Sequence, residues 1–183
     1  MEDIHRSFIA TLTCGSTSGK KHISVDYLRT SYPGWSGWLM RGNYSGVPLQ
    51  FRFDYIEHTD DRVHYVIRAV ESTTDYPNGR LGANHGGYLG FYQEHEVWDF
   101  WKVQAWENEG VADSFNFVLR DHLGYRVGVR RERSDGGQYY PTTKAPDYVD
   151  FLSTENRDIG LFRAKIIKYV ETDTSLVWRY PNE

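Results

Sequence analysis

From Leu49 to Tyr55 the chain alternates without a break: Leu49, Phe51, Phe53 and Tyr55 carry large apolar groups, and Gln50, Arg52 and Asp54 stand between them. A period of two is the side-chain period of a β-strand, whose successive residues point to opposite faces. One face of this segment suits a core and the other suits water. Ile23, Val25 and Tyr27 repeat the pattern, as do Tyr125, Val127 and Val129, whereas few segments hold the 3.6-residue stripe of an amphipathic helix. The side chains agree with the period. Fourteen Tyr, nine Phe and six Trp make the chain 16% aromatic, and 17 Gly supply turns; large flat rings fit a pleated, half-buried surface. An all-β fold is expected.

One stretch tests that expectation. "CGSTSGK" (14–20) follows the apolar-rich run "FIATLT" and has the look of a phosphate-binding loop. Such a loop needs four residues between its glycines, then Lys and Ser or Thr, and it must open a helix whose N-terminal amides face the anion. Here three residues separate Gly15 from Gly19, Lys21 occupies the hydroxyl position, and "HISVDYL" beyond has strand period. The stretch reads as a turn between two strands, with Cys14 inside the turn.

The strands fall into three sets of four. "SFIATLT" (7–13), "HISVDYL" (22–28), "GWLMRGN" (37–43) and "LQFRFDYI" (49–56) form the first. "VHYVIRAV" (63–70), "GRLGAN" (79–84), "GYLGFYQ" (87–93) and "DFWKVQAW" (99–106) form the second. The third is "SFNFVLR" (114–120), "YRVGVRRE" (125–132), "DFLSTEN" (150–156) and "LFRAKIIKY" (161–169), lengthened by the Gly-, Pro- and polar-rich run 133–148, which reads as an inserted loop. A single domain over 1–183 is expected, with repeats near 7–57, 62–107 and 113–170 and a tail at 171–183. The inward positions are Leu12, Phe51, Phe53, Val66, Leu89, Val103, Phe117, Val127, Phe162, Ala164 and Ile166, with Val177 and Trp178 of the tail packing back over them. A two-sheet sandwich would use the same alternation. The threefold spacing is what favours a pseudo-threefold closed barrel.

Three such units resemble the β-trefoil. The best matching stretch, "NGRLGANHGGYLGFYQEHEVWDFWKV" (78–103), is similar to a repeat of the ricin-B-type and fascin-like trefoils, and "QAW" (104–106) echoes the Gln-x-Trp signature of the ricin-B lectins. The resemblance implies six strands closing a barrel and three hairpins capping it. It also implies a binding protein whose sites lie on the hairpin half of each repeat.

Charge and chemistry narrow the function further. Twenty-one Lys and Arg against 25 Asp and Glu give a formal charge of −4, which provides no overall basic field for nucleic acid. The single Cys14 cannot form an internal disulfide, "MEDIHRSF" lacks a secretory apolar stretch, and no window reaches a membrane-span length. A cytoplasmic or non-classically released protein is expected, for which the sequon at Asn43 is incidental. No nucleophile–base pair, carboxylate pair or metal-ligand spacing stands out, so neither catalysis nor cofactor nor metal is expected. "EHE" (94–96) and "EHTDD" (57–61) read as charged loops, and His64 and His85 as packing or capping groups.

Glycan binding needs a ring against the apolar sugar face and Asp, Asn, Gln or backbone groups for the hydroxyls. Mapped onto the hairpin halves, the candidates are Trp35, Trp38, Asn43 and Tyr44 in the first unit; Asp75, Asn84, His85, Tyr88, Tyr92 and Trp98 in the second; and Asp121, His122, Asp135, Tyr139 and Tyr140 in the third. Large rings are also natural core residues, which competes with this assignment for Tyr88 and Trp98. Arg126 and Arg130 share a strand face by period and form the one basic cluster, suited to an acidic partner or anionic sugar or simply solvated beside Glu132 and Asp135. The expected partners are glycans or glycoproteins, with homodimerisation a route to avidity. The competing reading is a protein-binding trefoil, either a protease inhibitor presenting the 133–148 loop or a cytoskeleton-binding module.

Overall fold

The computed structural model describes residues 2–16, 19, 21–27, 37–42, 47–70, 76, 79–93, 100–106, 113–133, 148–155 and 158–177. Twelve strands run through them: β1 (Phe8–Ser16), β2 (Ile23–Tyr27), β3 (Leu39–Arg41), β4 (Gln50–Thr59), β5 (Arg62–Ala69), β6 (Arg80–Ala83), β7 (Leu89–Tyr92), β8 (Trp101–Ala105), β9 (Ser114–Arg120), β10 (Gly128–Arg133), β11 (Tyr148–Ser153) and β12 (Asp158–Tyr169). A single 3-10 turn at Glu2–His5 and a four-residue helical turn at Thr174–Val177 are the helical elements among the described residues. Among the described residues no helix is long and apolar enough to cross a membrane. The class is all-β.

Six strands close on themselves. β1 pairs with β4 and β12, β4 with β5, β5 with β8, β8 with β9, and β9 with β12, all antiparallel. Closure leaves the six strands of the ring no unpaired edge between them. Because side chains alternate, Phe8, Ala10 and Leu12 of β1 meet Phe51 and Phe53 of β4, Trp101 and Val103 of β8, Phe115 and Phe117 of β9, and Phe162 and Ala164 of β12 in one buried cluster. Phe8 stacks on Phe53 at 4.6 Å and Phe117 on Phe162 at 5.5 Å. Fully burying each such ring stabilises the fold by about 1.5–3 kcal/mol. Two buried polar groups are satisfied from neighbouring segments: Trp101 Nε1 donates to Leu81 O at 2.9 Å, and the Tyr65 hydroxyl donates to Ile4 O, fastening the 3-10 turn to the ring.

The other six strands form three hairpins, β2–β3, β6–β7 and β10–β11. They meet one another through the bridges Met40 to Phe151, Trp38 to Gly90 and Tyr88 to Ser153. A smaller apolar cluster of Met40, Val149 and Phe151, with Trp38 and Tyr88 against it, fills this meeting point.

The expected core positions are buried, except Ile166, which is partly buried at the edge of the cluster; Val66 is buried opposite Asp54 on the outward face of the ring rather than in its central cluster. Cys14 is not in a turn. β1 continues to Ser16 because β12 supplies partners as far as Gly160, and the thiol is fully buried there; burial pushes its pKa up to about 12. The turn follows it, with Gly19 at φ +91° and its N–H donating to Ser16 O. Arg126 and Arg130 are parted: Arg126 bridges to Arg120 of the ring, whereas Arg130 lies over Tyr88. The run read as an inserted loop is trimmed at both ends, since β10 reaches Arg133 and β11 starts at Tyr148. Trp106 of the Gln-x-Trp echo is 44% exposed. Trp178 and the Val177 side chain lie outside the described residues; the part of the tail before them makes polar contacts with the ring. Arg52 Nη2 donates to Glu171 O at 2.8 Å, the Ser7 and Thr172 hydroxyls bond at 2.6 Å, and Asp173 N–H donates to buried Asp54.

Candidate functional site

Hairpin β6–β7 turns at Asn84, and the side chain of that residue shapes the turn. Its Oδ1 accepts from the N–H groups of Gly86 at 2.9 Å and Tyr88 at 3.0 Å, an Asx arrangement that frees the chain from needing a longer loop. Gly87 has φ +74°, and a Cβ there would come within 2.9 Å of Thr154 Oγ1 and Glu155 Cγ. Only glycine fits this conformation without strain.

The turn aims Tyr88 at the meeting point of the hairpins. Its ring lies parallel to the Trp38 indole, with centroids 4.8 Å apart and planes 1° apart, and Phe151 meets both rings edge-on. The Arg130 guanidinium sits over the Tyr88 ring at 4.8 Å. Arg130 Nε reaches Glu132 Oε1 at 3.0 Å, and the Tyr88 hydroxyl donates to the same oxygen. Trp38 and Tyr88 are half-buried, while the Arg130 and Glu132 side chains are 39% and 31% exposed. A rigid aromatic pair therefore ends in a phenol, a guanidinium and a carboxylate. That set can both donate to and accept from neighbouring hydroxyls.

The other face of β10–β11 carries a second group. Register places Arg133 opposite Tyr148 and Arg131 opposite Asp150. Tyr148 is 54% exposed, and the Arg131 guanidinium lies 6.0 Å from its ring centre. Arg131 grips Asp150 with Nε at 2.7 Å and Nη2 at 3.0 Å, and this bond raises the Arg131 pKa. Buried Arg41 brings Nη1 to 3.8 Å from the same carboxylate and donates Nη2 to Lys21 O. Tyr148, Arg131 and Asp150 were not singled out by the reading of the sequence. The signal was the alternation across 131–133 and 148–150, hidden by reading the run up to 148 as loop.

Of the residues expected at a site, Trp38 and Tyr88 are brought together, with Asn84 and exposed His85 in the turn before them and Tyr92 farther along β7, opposite Arg80. Asp121 and His122 lie elsewhere, in a turn after β9 built like the one at Asn84: Asp121 Oδ1 accepts from Tyr125 N–H at 2.8 Å, and Gly124 has φ +95°. Trp35, Asn43, Tyr44, Asp75, Trp98, Asp135, Tyr139 and Tyr140 fall outside the described residues, as does "EHE". In "EHTDD", His58 stacks on His5 at 4.5 Å and accepts or donates at Nδ1 with Tyr55, while Glu57 bonds His64. No three His, Cys, Asp or Glu side chains converge among the described residues. A cleft of about 730 Å³ opens between the 3-10 turn, the β4–β5 turn and β8, lined by Ile4, His5, His58, Asp61, Arg62 and Gln104 among others.

No family model matches the chain, and no curated protein or solved structure matches it either.

Proposed function

We propose that the twelve strands form a β-trefoil and that the protein is a non-catalytic carbohydrate-binding protein whose site is built on the β10–β11 hairpin and the Trp38–Tyr88 pair. Three features support the fold: the first and fourth strands of each set of four make the ring, the second and third make a hairpin, and the third strands touch pairwise. The binding reading rests on one observation, the closed contact of Tyr88, Arg130 and Glu132 beside the Trp38 indole. Two faces of stacked rings are held rigid by Phe151, so little conformational freedom is lost when a pyranose settles at their edge. Glu132 and Arg130 then bond adjacent hydroxyls, and Tyr148 with Asp150 offers a second ring and carboxylate across the hairpin. Sites of this kind are shallow and weak singly; avidity comes from repetition or from a second copy of the chain.

A glycan array probed with the full chain tests this. Repeatable hits that are lost in Trp38→Ala and Glu132→Gln, with the thermal midpoint of Glu132→Gln near wild type, are the expected result. A blank array, or hits indifferent to both substitutions, overturns the carbohydrate reading and moves the function to a protein partner.

A further inference from the structure

At the end of the ring away from the hairpins, a bulge parts the wall. β4 and β5 pair residue for residue from Phe51 opposite Ala69 to Tyr55 opposite Tyr65, and then Glu57 stands opposite His64, so Ile56 is an extra residue on β4. A bulge bends its strand and sharpens the local twist. Beyond it the hairpin end leaves the ring: β5 stays paired with β8 only as far as Val63 opposite Val103, while β8 runs on to Ala105. The cleft of about 730 Å³ fills the gap, with the 3-10 turn as its other wall. Both walls are fixed. The Tyr65 hydroxyl donates to Ile4 O, the His5 imidazole stacks on that of His58 with centroids 4.5 Å apart, and His58 Nδ1 bonds the Tyr55 hydroxyl at 2.9 Å.

The third side is the end of β8. Trp106 N–H donates to Asn116 O, so by antiparallel alternation the even residues of β8 bond to β9 and the odd ones turn toward β5. Ala105 is odd and lies past the last β5 pair. Its N–H and C=O therefore face the cleft with no partner among the described residues. Beside it, Gln104 Oε1 accepts from Arg120 Nε at 3.2 Å and Nη2 at 3.0 Å, which leaves both N–H groups of the Gln104 amide for whatever enters. On the opposite rim Asp61 pairs with Arg62 at 3.3 Å, whereas Asp60 makes no hydrogen bond or ion pair among the described residues.

We infer that this cleft is a binding site for a neutral polyhydroxylated ligand, a saccharide of one or two rings, at the opposite end of the ring from the hairpin site and independent of it. The Ala105 and Gln104 N–H donors line the same cavity as the Ala105 C=O and Asp60 carboxylate acceptors, and a hydroxyl is the group that both donates and accepts. An anion would meet Asp60. A cation would leave the Gln104 and Ala105 N–H groups without acceptors. Ile4, Val63 and Val103 add an aliphatic patch for the C–H face of a sugar, and the volume lies within the range of about 300–1,000 Å³ typical of small-molecule sites.

Imidazole NMR of the full chain at constant pH tests it, with the His5 and His58 signals assigned through His5→Gln and His58→Gln. The probes are glucose, galactose, N-acetylglucosamine, maltose and lactose, with inorganic phosphate and putrescine as charged counterparts. At least one sugar is expected to shift both signals saturably. Asp60→Ala should weaken that binding about tenfold or more, the scale of a hydrogen bond to a charged group, and Gln104→Ala about threefold to tenfold. Asp60 lies on an exposed turn, so the thermal midpoint of Asp60→Ala should stay at wild type. Trp38→Ala should leave the His shifts intact. The site is overturned by the absence of a shift with every sugar, by affinities unchanged in Asp60→Ala and Gln104→Ala, or by phosphate or putrescine shifting the signals more strongly than any sugar. Sugar binding that is lost in Trp38→Ala and leaves both His signals unmoved supports the hairpin site and overturns this one.

Discussion

Replacing Asp54 by alanine should damage the fold more than any exposed ion pair could. Asp54 is fully buried, although it sits on the outward face of β4 between the core residues Phe53 and Tyr55. Its Oδ1 accepts from Arg52 Nε at 2.9 Å and from the Asp173 N–H at 3.2 Å, and its Oδ2 accepts from Arg68 Nε at 3.0 Å and Nη2 at 2.8 Å. Arg68 is itself buried, and its other acid, Asp173, is 35% exposed at 3.3 Å. An exposed pair would be worth about 0–1 kcal/mol. Burial decides against that figure: removing one partner strands a desolvated guanidinium, at a cost of about 3–5 kcal/mol. With a urea m-value of about 2 kcal/mol/M, the midpoint of denaturation should fall by roughly 1.5–2.5 M. The same change unfastens the tail, so limited proteolysis should cut near residues 171–173 in Asp54→Ala well before it does in wild type. The double variant Asp54→Leu/Arg68→Met removes both charges and should lie closer to wild type than the single change does. A midpoint shift below about 0.5 M for Asp54→Ala would refute the reasoning, because it would mean that water reaches Arg68 at no cost.

Gly87→Ala should cost about 1–3 kcal/mol by thermal denaturation, since a left-handed backbone and two contacts at 2.9 Å both oppose a Cβ; an unchanged midpoint would show that the turn shifts freely. Cys14, with its thiol held protonated and fully buried, should react with iodoacetamide at pH 8 on the order of a thousandfold more slowly than in urea, at a rate set by opening of the ring. Fast native labelling would contradict the closed ring. Hydrogen bonds from Ser175, with help from Arg68 and Arg52, lower the Asp173 pKa. A lowered folded pKa gives stability that is present above the unfolded value of about 3.9 and lost as pH falls through the folded value. The stability gap between wild type and Asp173→Asn should therefore be about 0.5–1 kcal/mol at pH 7, discounted for exposure, and should close below about pH 4. A gap that persists at pH 2 would place the contribution elsewhere.

What the chain discloses of itself depends on how local the deciding interaction is. Alternation is local, and it marks β2, β4 and the approach to β10 directly, because an amphipathic strand must show its core face in its own residues; each of the twelve strands overlaps a segment read as a strand. Strand ends are not local. β1 runs past Cys14 into Gly15 and Ser16 only because Leu161 and Gly160 of β12 stand opposite, and Tyr148 is a strand residue only because Arg133 faces it. The same division runs through the candidate site. Asn84-x-Gly is a legible turn, but its side chain is occupied by that turn rather than displayed. Trp38 and Tyr88 stack because two different hairpins converge, and nothing near either residue encodes the partner. A basic row along the ring wall is the extreme case. His64, Lys102, Arg120 and Arg126 belong to three ring strands and a following bridge, each flanked by unremarkable neighbours, and a register slip of one residue on any ring strand would send its polar side chain to the core face. Net charge could not reveal it either, since an acidic total of −4 averages over the whole surface.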